Sequence, residues 1–302
     1  MKRLSIIIVT YKSEHDIYDC LQSIWIYSDL PKEEMEVIVV DNSPESDEMF
    51  SRLRTLYGDN IILIKNSYNG GYGQGNNVGI RQATAPIIMI MNPDVRLIEP
   101  VFKTALEAFD HDKSLCIYGM KQMHSEQRKS HLSFDCSFRI NGFIRAFTIP
   151  LCNRLDWYWP RWMYFSGACF FIHREKFKEA GLFDEDIFMY GEEDDIHWRL
   201  AQTYGHHFTY NKDLHYLHLI LNRPLSLVTL QTMLSSYIIS GNKKGFPTNK
   251  TIRNTLYYTR ILYYHSRLRK KQNKDYSETL RTFITIMKEQ LKNEKNTINF
   301  RH

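Results

Sequence analysis

Four consecutive carboxylates, Glu192-Glu193-Asp194-Asp195, sit inside the stretch Phe188–Arg199, read FMYGEEDDIHWR. Acids this close repel one another and raise at least one pKa, which suits a general base. The same run would also serve as a solvated helix N-terminus, where acids complement the dipole. A further acid, Asp94, closes the segment IIMIMNPD. Its five apolar residues, Ile87 to Met91, read as a strand buried on both faces of a parallel sheet. Pro93 cannot donate to a ladder, so the strand should stop there and leave Asp94 at its carboxyl end. Open α/β sheets place ligands at that end, and a carboxylate there suits a hard divalent cation that shares its shell with phosphate oxygens. Asp41 closes Met35–Val40 in the same way, positioned to contact a ribose or base or to cap the next helix.

The elements that must position these acids follow from periodicity. Leu4–Val9 is a buried-strand signal ending in Thr10-Tyr11, and residues 14–28 carry a helical pattern with Ile17, Leu21, Ile24 and Trp25 on one face. Helix is expected at 45–57, strand at Ile61–Ile64, helix at 76–84 and 101–111, and strands at Leu115–Met120 and Phe165–His173. Strands alternating with helices at this spacing mean βαβ units and an α/β fold built on a mostly parallel sheet.

Between the third strand and the next helix lies NGGYGQGNNVG, residues 69–79, with five glycines in ten residues. Such a backbone can approach a phosphate closely, or act as a flexible turn. It matches neither G-x-G-x-x-G nor a P-loop. Residues 121–163 show little periodicity but gather Arg154, Trp157, Tyr158, Trp159, Arg161 and Trp162. Aromatic faces stack on sugar rings and Arg pairs with phosphate, so this region reads as an acceptor-side surface or lid, or as a satellite core under a long loop.

The net charge of +5 conceals an asymmetry. From Lys250 onward there are 13 Lys and Arg against 4 Asp and Glu, whereas the preceding 249 residues hold 26 basic and 30 acidic residues. That distribution excludes a uniform nucleic-acid binder. Within 250–274, Arg253, Arg260, Arg267 and Lys274 repeat every seven residues among tyrosines, as in a helix lying on a membrane surface or a solvated basic face. Residues 276–293 form an amphipathic helix whose stripe of Leu280, Phe283, Ile284, Met287 and Leu291 needs a partner, the main domain or a second copy of the chain. The five cysteines include no C-x-x-C pair, which argues against a zinc site or disulfide framework and fits a reducing compartment. The apolar run Leu4–Val9 is too short for a signal-peptide core, and no stretch of about 18 apolar residues occurs, so a cytoplasmic protein is expected.

Taken together, I-I-I-V-T-Y, V-V-D-N-S, N-x-G-Y-G-x-G-N-N-x-G-I and M-N-P-D-V resemble the family 2 glycosyltransferases, closest to the rhamnosyltransferase-like subgroup of bacterial surface-polysaccharide synthesis. The resemblance covers roughly residues 3–220 and implies a GT-A fold, here 1–221, followed by a helical basic extension, 222–302. It implies a nucleotide-sugar donor such as dTDP-rhamnose or a UDP-sugar, with Mn²⁺ or Mg²⁺ on the diphosphate. Thr10 and Tyr11 would flank the nucleotide, Asp41 would contact its base or ribose, and Asn69, Gly73, Asn77 and Asn92 would line the donor site. Asn92-Pro93-Asp94 takes the place of the family's Asp-x-Asp motif, so the metal would rest mainly on Asp94. The segment DLHYLH resembles the family's closing His segment, with His218 the better match and His215 the second.

Inverting transfer needs one base to deprotonate the acceptor hydroxyl while the diphosphate leaves. By the resemblance that base is Glu193, positioned by Glu192 and Asp195, and a one-residue shift to Asp194 stays open. The reading is therefore an inverting, metal-dependent glycosyltransferase acting on a saccharide, lipid-linked acceptor at the cytoplasmic membrane face. A non-catalytic glycan- or sugar-nucleotide-binding protein on the same fold is the rival, and a nucleotidyltransferase a weaker one; Asp94 and Glu193 argue for catalysis.

Overall fold

A computed structural model describes residues 1–45, 47–125, 128–129, 132–219, 225–268 and 274–299. The first half alternates as expected. Strand β1 (Leu4–Thr10) leads to helix α1 (Glu14–Ile26), β2 (Met35–Asp41) to α2 (Asp47–Tyr57), and β3 (Ile61–Lys65) to α3 (Gly71–Gln82). Next come β4 (Ile87–Met91), β5 (Val95–Leu97), α4 (Phe102–His111) and β6 (Ile117–Ser125). Then follow β7 (Arg128–Lys129), β8 (Phe134–Cys136), α5 (Gly142–Leu155), β9 (Met163–Phe165), β10 (Cys169–His173), α6 (Arg174–Glu179), α7 (Glu192–Tyr204) and β11 (Phe208–His218). Helices α8 (Leu227–Lys243), α9 (Thr248–Leu268) and α10 (Lys274–Asn299) close the chain.

The main sheet runs β3-β2-β1-β4-β10-β6-β11-β5, with β7 appended to β6. Its β1, β2, β3 and β4 pair in parallel, as do β6 and β11, whereas β10 runs antiparallel to both its neighbours and β11 to β5. Every residue of β2 and β4 is buried, because helices cover both sheet faces. The parallel register pairs Thr10 with Asp41 and Asp41 with Lys65, so three strands deliver their last residues to one edge of the sheet. Strand β4 stops at Met91, ahead of Pro93, for the reason the missing N–H gives.

Two elements differ from the sequence expectation. Helix α3 begins at Gly71, not at 76, because its glycines face the sheet: a Cβ on Gly79 would stand 2.6 Å from Ile7 and one on Gly75 2.7 Å from Val9. The stretch read as a phosphate-approaching loop is thus largely a helix packed close on β1. The region 121–163, read as unpatterned, contains the 14-residue helix α5. Pro150 inside it and apolar residues on its outer as well as its inner side mask the helical period.

The apolar stripe of α10 finds its partner within the chain. Leu280, Phe283, Ile284 and Met287 pack with Leu230 and Leu234 of α8 and with Ile252 and Leu256 of α9. One face of α9 is buried, while Arg253, Tyr257, Tyr264 and Arg267 lie exposed on the other. Among the described residues no helix is long and apolar enough to cross a membrane.

Candidate active site

The turn after β4 is fixed by its backbone before any side chain is considered. The Asn92 N–H donates to the Ala168 carbonyl at 2.8 Å, the Val95 N–H to Asn92 O at 3.1 Å, and the Leu219 N–H to Asp94 O at 2.9 Å. The Arg96 guanidinium donates to the carbonyls of Pro93 and Val95, both at 2.8 Å, and clasps the turn from its other side. Antiparallel pairing of β11 with β5 sets His218 opposite Val95, and His218 Nε2 stands 3.3 Å from Asp94 Oδ1. His215, the second choice, is held elsewhere: its ring Nδ1 and backbone N–H lie 2.8 and 2.5 Å from Glu99 Oε1.

Asp94 and His218 offer a carboxylate and an imidazole to a divalent cation. His218 Nδ1 is buried without a hydrogen-bond partner, so that ring nitrogen is uncommitted to the fold. Among the described residues no group of three or more His, Cys, Asp or Glu converges on a metal position. The pair fits a metal such as Mg²⁺ or Mn²⁺ that completes its shell with diphosphate oxygens and water.

At the ends of β1, β2 and β3 opens a cleft of about 260 Å³ lined by residues including Tyr11, Asn42, Ser43, Lys65, Asn66 and Asn69. Asp41 is buried beneath it, with Oδ1 accepting from the hydroxyls of Thr10 and Ser43 at 2.8 Å each. Its Oδ2 is buried with no partner in the protein. A buried carboxylate oxygen calls for a donor, and a ribose hydroxyl or base N–H is one. Asn69 accepts from the Gly71 N–H at 3.0 Å, so it shapes the cleft rim while securing the start of α3.

Gly73 and Asn77, expected in the donor site, are directed at residues 183–185. A Cβ on Gly73 would meet Phe183 at 2.9 Å. Asn77 Nδ2 donates to Phe183 O and to Glu185 Oε1, each at 2.9 Å, and its Oδ1 accepts from the Phe183 N–H at 3.0 Å. Both amide atoms are committed to that segment. Their work is to fasten the chain that leads into the acidic helix.

That helix, α7, starts after Gly191, whose φ of 102° only glycine adopts without strain. All four acids lie in its first turn. Asp195 takes two bonds from Arg199, each 2.7 Å, and its Oδ1 lies 3.3 Å from Lys244 Nζ. Asp194 accepts from Ser137 Oγ at 3.1 Å and lies 3.7 Å from the same Lys244 Nζ. Lys244 is buried, and its ammonium stands over the rings of Trp198 and Phe138 at 5.4 and 5.7 Å. Asp195, expected to orient the base, is therefore engaged with cations, as is Asp194.

The two glutamates differ. Glu192 is buried, with Oε2 unpartnered, and burial together with the Glu193 charge pushes its carboxyl well above the ordinary range. Glu193 keeps some contact with solvent and accepts the Gly167 N–H, while burial pushes it up to about 7. A Cβ built on Gly167 would stand 2.1 Å from Glu193 Oε1, so the carboxylate lies directly on this backbone. The Gly167 carbonyl accepts from Tyr72 Oη at 2.5 Å. Consecutive residues thus join the two halves of the site: Gly167 meets Glu193 and Ala168 meets Asn92. His197, pushed down to about 4 by burial, donates from Nδ1 to the Glu193 carbonyl at 2.8 Å and accepts the Phe165 N–H at Nε2, 3.3 Å away. It ties α7 to β9 as a neutral ring.

The sequence profile of Glycosyl transferase family 2 matches residues 5–181. The chain belongs to glycosyl transferase family 2. Among similar family members are the uncharacterized glycosyltransferase YfnE of Bacillus subtilis, 25% identical over 256 residues, covering 72% of this chain and 64% of that protein. Another is the low-salt glycan biosynthesis hexosyltransferase Agl10 of Haloferax volcanii, 29% identical over 206 residues, covering 65% of this chain and 61% of that protein. The chain thus spans a little over three-fifths of the length of these curated relatives. A mannosyltransferase of Pyrobaculum calidifontis, solved with GDP-Man and Mn²⁺, superposes with a TM-score of 0.54 at 16% identity, covering 93% of this chain and 69% of that one. That likeness establishes the GT-A fold.

Within this family 2 fold several site residues were not singled out from sequence. Lys244 lies in a connector rich in polar residues, where nothing marks a lysine destined for burial. Gly167 sits in the small-residue start of a strand signal, and its role depends on a contact 26 positions away in the chain. Arg96 lies two residues after Asp94, and that closeness to the NPD turn was the one available signal.

Proposed function

We propose that this chain is an inverting, metal-dependent glycosyltransferase that moves a sugar from a nucleoside diphosphate to a saccharide acceptor. The observation that carries the reading is Glu193: where Asp194 and Asp195 are held by cations, it combines partial access to solvent, a hydrogen bond from the Gly167 N–H and a pKa raised to about 7. A group poised near neutrality takes a proton from a hydroxyl more readily than a carboxylate in its ordinary range. Asp41 and the cleft above it would receive the nucleoside, with Thr10, Tyr11 and Asn69 around it and Asn92 at the diphosphate side. Asp94 and His218 would hold Mn²⁺ or Mg²⁺. When bound, that metal supplies charge neutralisation of the diphosphate leaving group.

The chain's own residues do the rest. Glu193, held by the Gly167 N–H, removes the acceptor proton as the hydroxyl attacks the anomeric carbon from the face opposite the diphosphate. Tyr72 and the Asn92 N–H bond the carbonyls of Gly167 and Ala168, so the base and the Asn92 turn keep one spacing. Glu192, raised well above its ordinary range, keeps its proton and adds no charge beside the base.

The names of the relatives, a glycan biosynthesis hexosyltransferase and an O-antigen biosynthesis protein among them, support a surface-polysaccharide acceptor. We extend the proposal to a lipid-linked acceptor and to a rhamnosyltransferase-like donor preference, dTDP-rhamnose or a UDP-sugar. The exposed basic stripe of α9 supports a peripheral position on the anionic inner face of the plasma membrane. A homodimer through the C-terminal helices is not required to cover α10, whose apolar stripe is already packed within the chain.

The test is a panel of nucleotide sugars with a pool of saccharide acceptors, with Mn²⁺, Mg²⁺ or chelator, scored for nucleoside diphosphate release. One donor turned over only with metal, and lost in Asp94→Ala, supports the proposal. Donor binding without turnover across the acceptor pool turns the reading to a binding protein, and pyrophosphate release to a nucleotidyltransferase.

A further inference from the structure

Helix α5 carries its apolar residues on the wrong side for a core helix. Ile149 and Cys152 are buried, yet Phe143, Ile144, Phe147 and Leu151 each expose more than half of their surface. Their spacing at i, i+1, i+4 and i+8 makes one continuous face. Trp157, Trp159 and Trp162 follow within seven residues of the helix end, each with about half its surface exposed. Large contiguous apolar surface of this kind marks an interaction site.

The charges around it select the partner. From Cys136 to Arg174 the sequence holds a single acid, Asp156, and that acid is paired with Lys121 at 2.7 Å. Exposed Arg154 and Arg161 stand among the aromatics, with the Arg161 guanidinium 5.6 Å from the Trp162 ring. A second copy meeting this face would bring the same arginines together with no acid to receive them. An anionic lipid headgroup layer complements them, and tryptophan beside arginine above aliphatic and phenyl side chains is the composition of a helix lying in the membrane interface.

We infer that α5 and the 157–162 loop form the lipid-inserting face of this protein, which seats it in the acyl–headgroup boundary of an anionic bilayer. The inference extends the membrane placement proposed above and is independent of the transfer chemistry. It moves the apolar contact from α9, whose exposed stripe sets Arg253 and Arg267 among tyrosines, to a face that carries phenylalanine, leucine and tryptophan. It also gives the placement a purpose. Trp162 lies five residues before Gly167, so the inserted surface stands no more than about 18 Å along the chain from the backbone that holds Glu193. A lipid-linked acceptor emerging from the bilayer would then rise beside the base.

The experiment sediments the full chain with vesicles of phosphatidylcholine alone, or of equal parts phosphatidylcholine and phosphatidylglycerol, some with brominated acyl chains. Wild type should bind the anionic vesicles, less at high salt, with its tryptophan fluorescence quenched by the bromines. Phe147→Ser/Leu151→Ser should bind at least about tenfold more weakly, with unchanged circular dichroism and nucleotide binding. Arg253→Gln/Arg267→Gln should lose affinity while its bound fraction stays quenched. If the apolar variant binds like wild type and the tryptophans are unquenched, the membrane placement stands through α9 and this inference falls. If wild type binds neither vesicle, both fall. A dimer that dissociates in the Phe147→Ser/Leu151→Ser variant, with vesicle binding unaltered, would make this face a self-association surface and overturn the inference.

Discussion

Lys244 Nζ lies 3.3 Å from Asp195 Oδ1, and through that contact the chain that follows α8 reaches the acidic first turn of α7. The lysine is as buried as its partners, and it neutralises two of four adjacent acids that would otherwise repel one another. The segment after α8 is thus a structural component of that turn. Lys243 reinforces it with pairs to Asp184 and Asp186 at 2.7 and 2.5 Å.

Removing one partner of a buried ion pair leaves the other uncompensated. Lys244→Met should therefore lower unfolding free energy by about 3 kcal/mol, read by urea denaturation at neutral pH. Lys244→Met/Asp195→Asn should cost less than the sum of the two single variants, because each change removes the charge that the other strands. Strict additivity would mean that the contact carries no coupling.

The raised pKa of Glu193 predicts how rate depends on pH. Turnover should rise about tenfold per unit below pH 7 and level off above it, as the base loses its proton near 7. A limb centred near 4.5, the ordinary glutamate value, would place the base elsewhere.

The same shift has the opposite effect on stability. The unfolded chain releases this proton near 4.5, whereas the folded chain holds it to about 7, so rising pH across that window favours unfolding. Glu193→Gln does not titrate. Above neutrality it should be more stable than wild type by on the order of 3 kcal/mol, and the difference should vanish below pH 4.5. Thermal melts of both proteins across pH measure this directly.

Gly167 is required for space. Its alanine variant would place a methyl group 2.1 Å from Glu193 Oε1, and the carboxylate would have to move. We expect kcat to fall about 100-fold with the donor KM nearly unchanged, as for a base displaced by about an ångström. Steady-state kinetics distinguishes this from a general loss of folding, which would lower the active fraction without altering the pH profile.

Metal use should separate the two histidines. His218→Ala should raise the Mn²⁺ concentration for half-maximal activity by at least about tenfold, as loss of one ligand from a small set does. His215→Ala, whose ring is bound to Glu99, should leave that concentration within about twofold, below the energy of one hydrogen bond. Equal effects would remove His218 from the metal side of the site.

Much of this was legible in the sequence because it rests on local physics. The runs LSIIIV, MEVIVV and IIMIM are apolar on both faces, and only a covered parallel sheet accommodates them. Pro93 marks the strand end because it lacks an N–H. Where the reading missed, the deciding contact was tertiary. The glycines of 70–75 read as loop because local propensity disfavours helix, yet close packing of Gly75 on Val9 requires one there. Asn77 was grouped with the donor site by motif, whereas both its amide atoms bond Phe183, more than a hundred positions away. Helix α5 was hidden because exposed and buried apolar residues fill both its sides, and the face that obscured its period is the face that we assign to lipid. Four acids in a row do not by themselves single one out, and only the resemblance favoured Glu193; the cations that claim two of the others come from Arg199 and Lys244.

The central claim is that Glu193 deprotonates the acceptor. Its most direct test compares wild type and Glu193→Gln for glycosylated product formed from a donor the panel identifies, at slightly alkaline pH with metal and acceptor saturating, beside calorimetric binding of the nucleotide sugar. We predict a rate lower by about 10²- to 10⁴-fold with donor affinity unchanged, the signature of a lost general base. A Gln variant that turns over within a fewfold of wild type would contradict the account and move the proton transfer to another group.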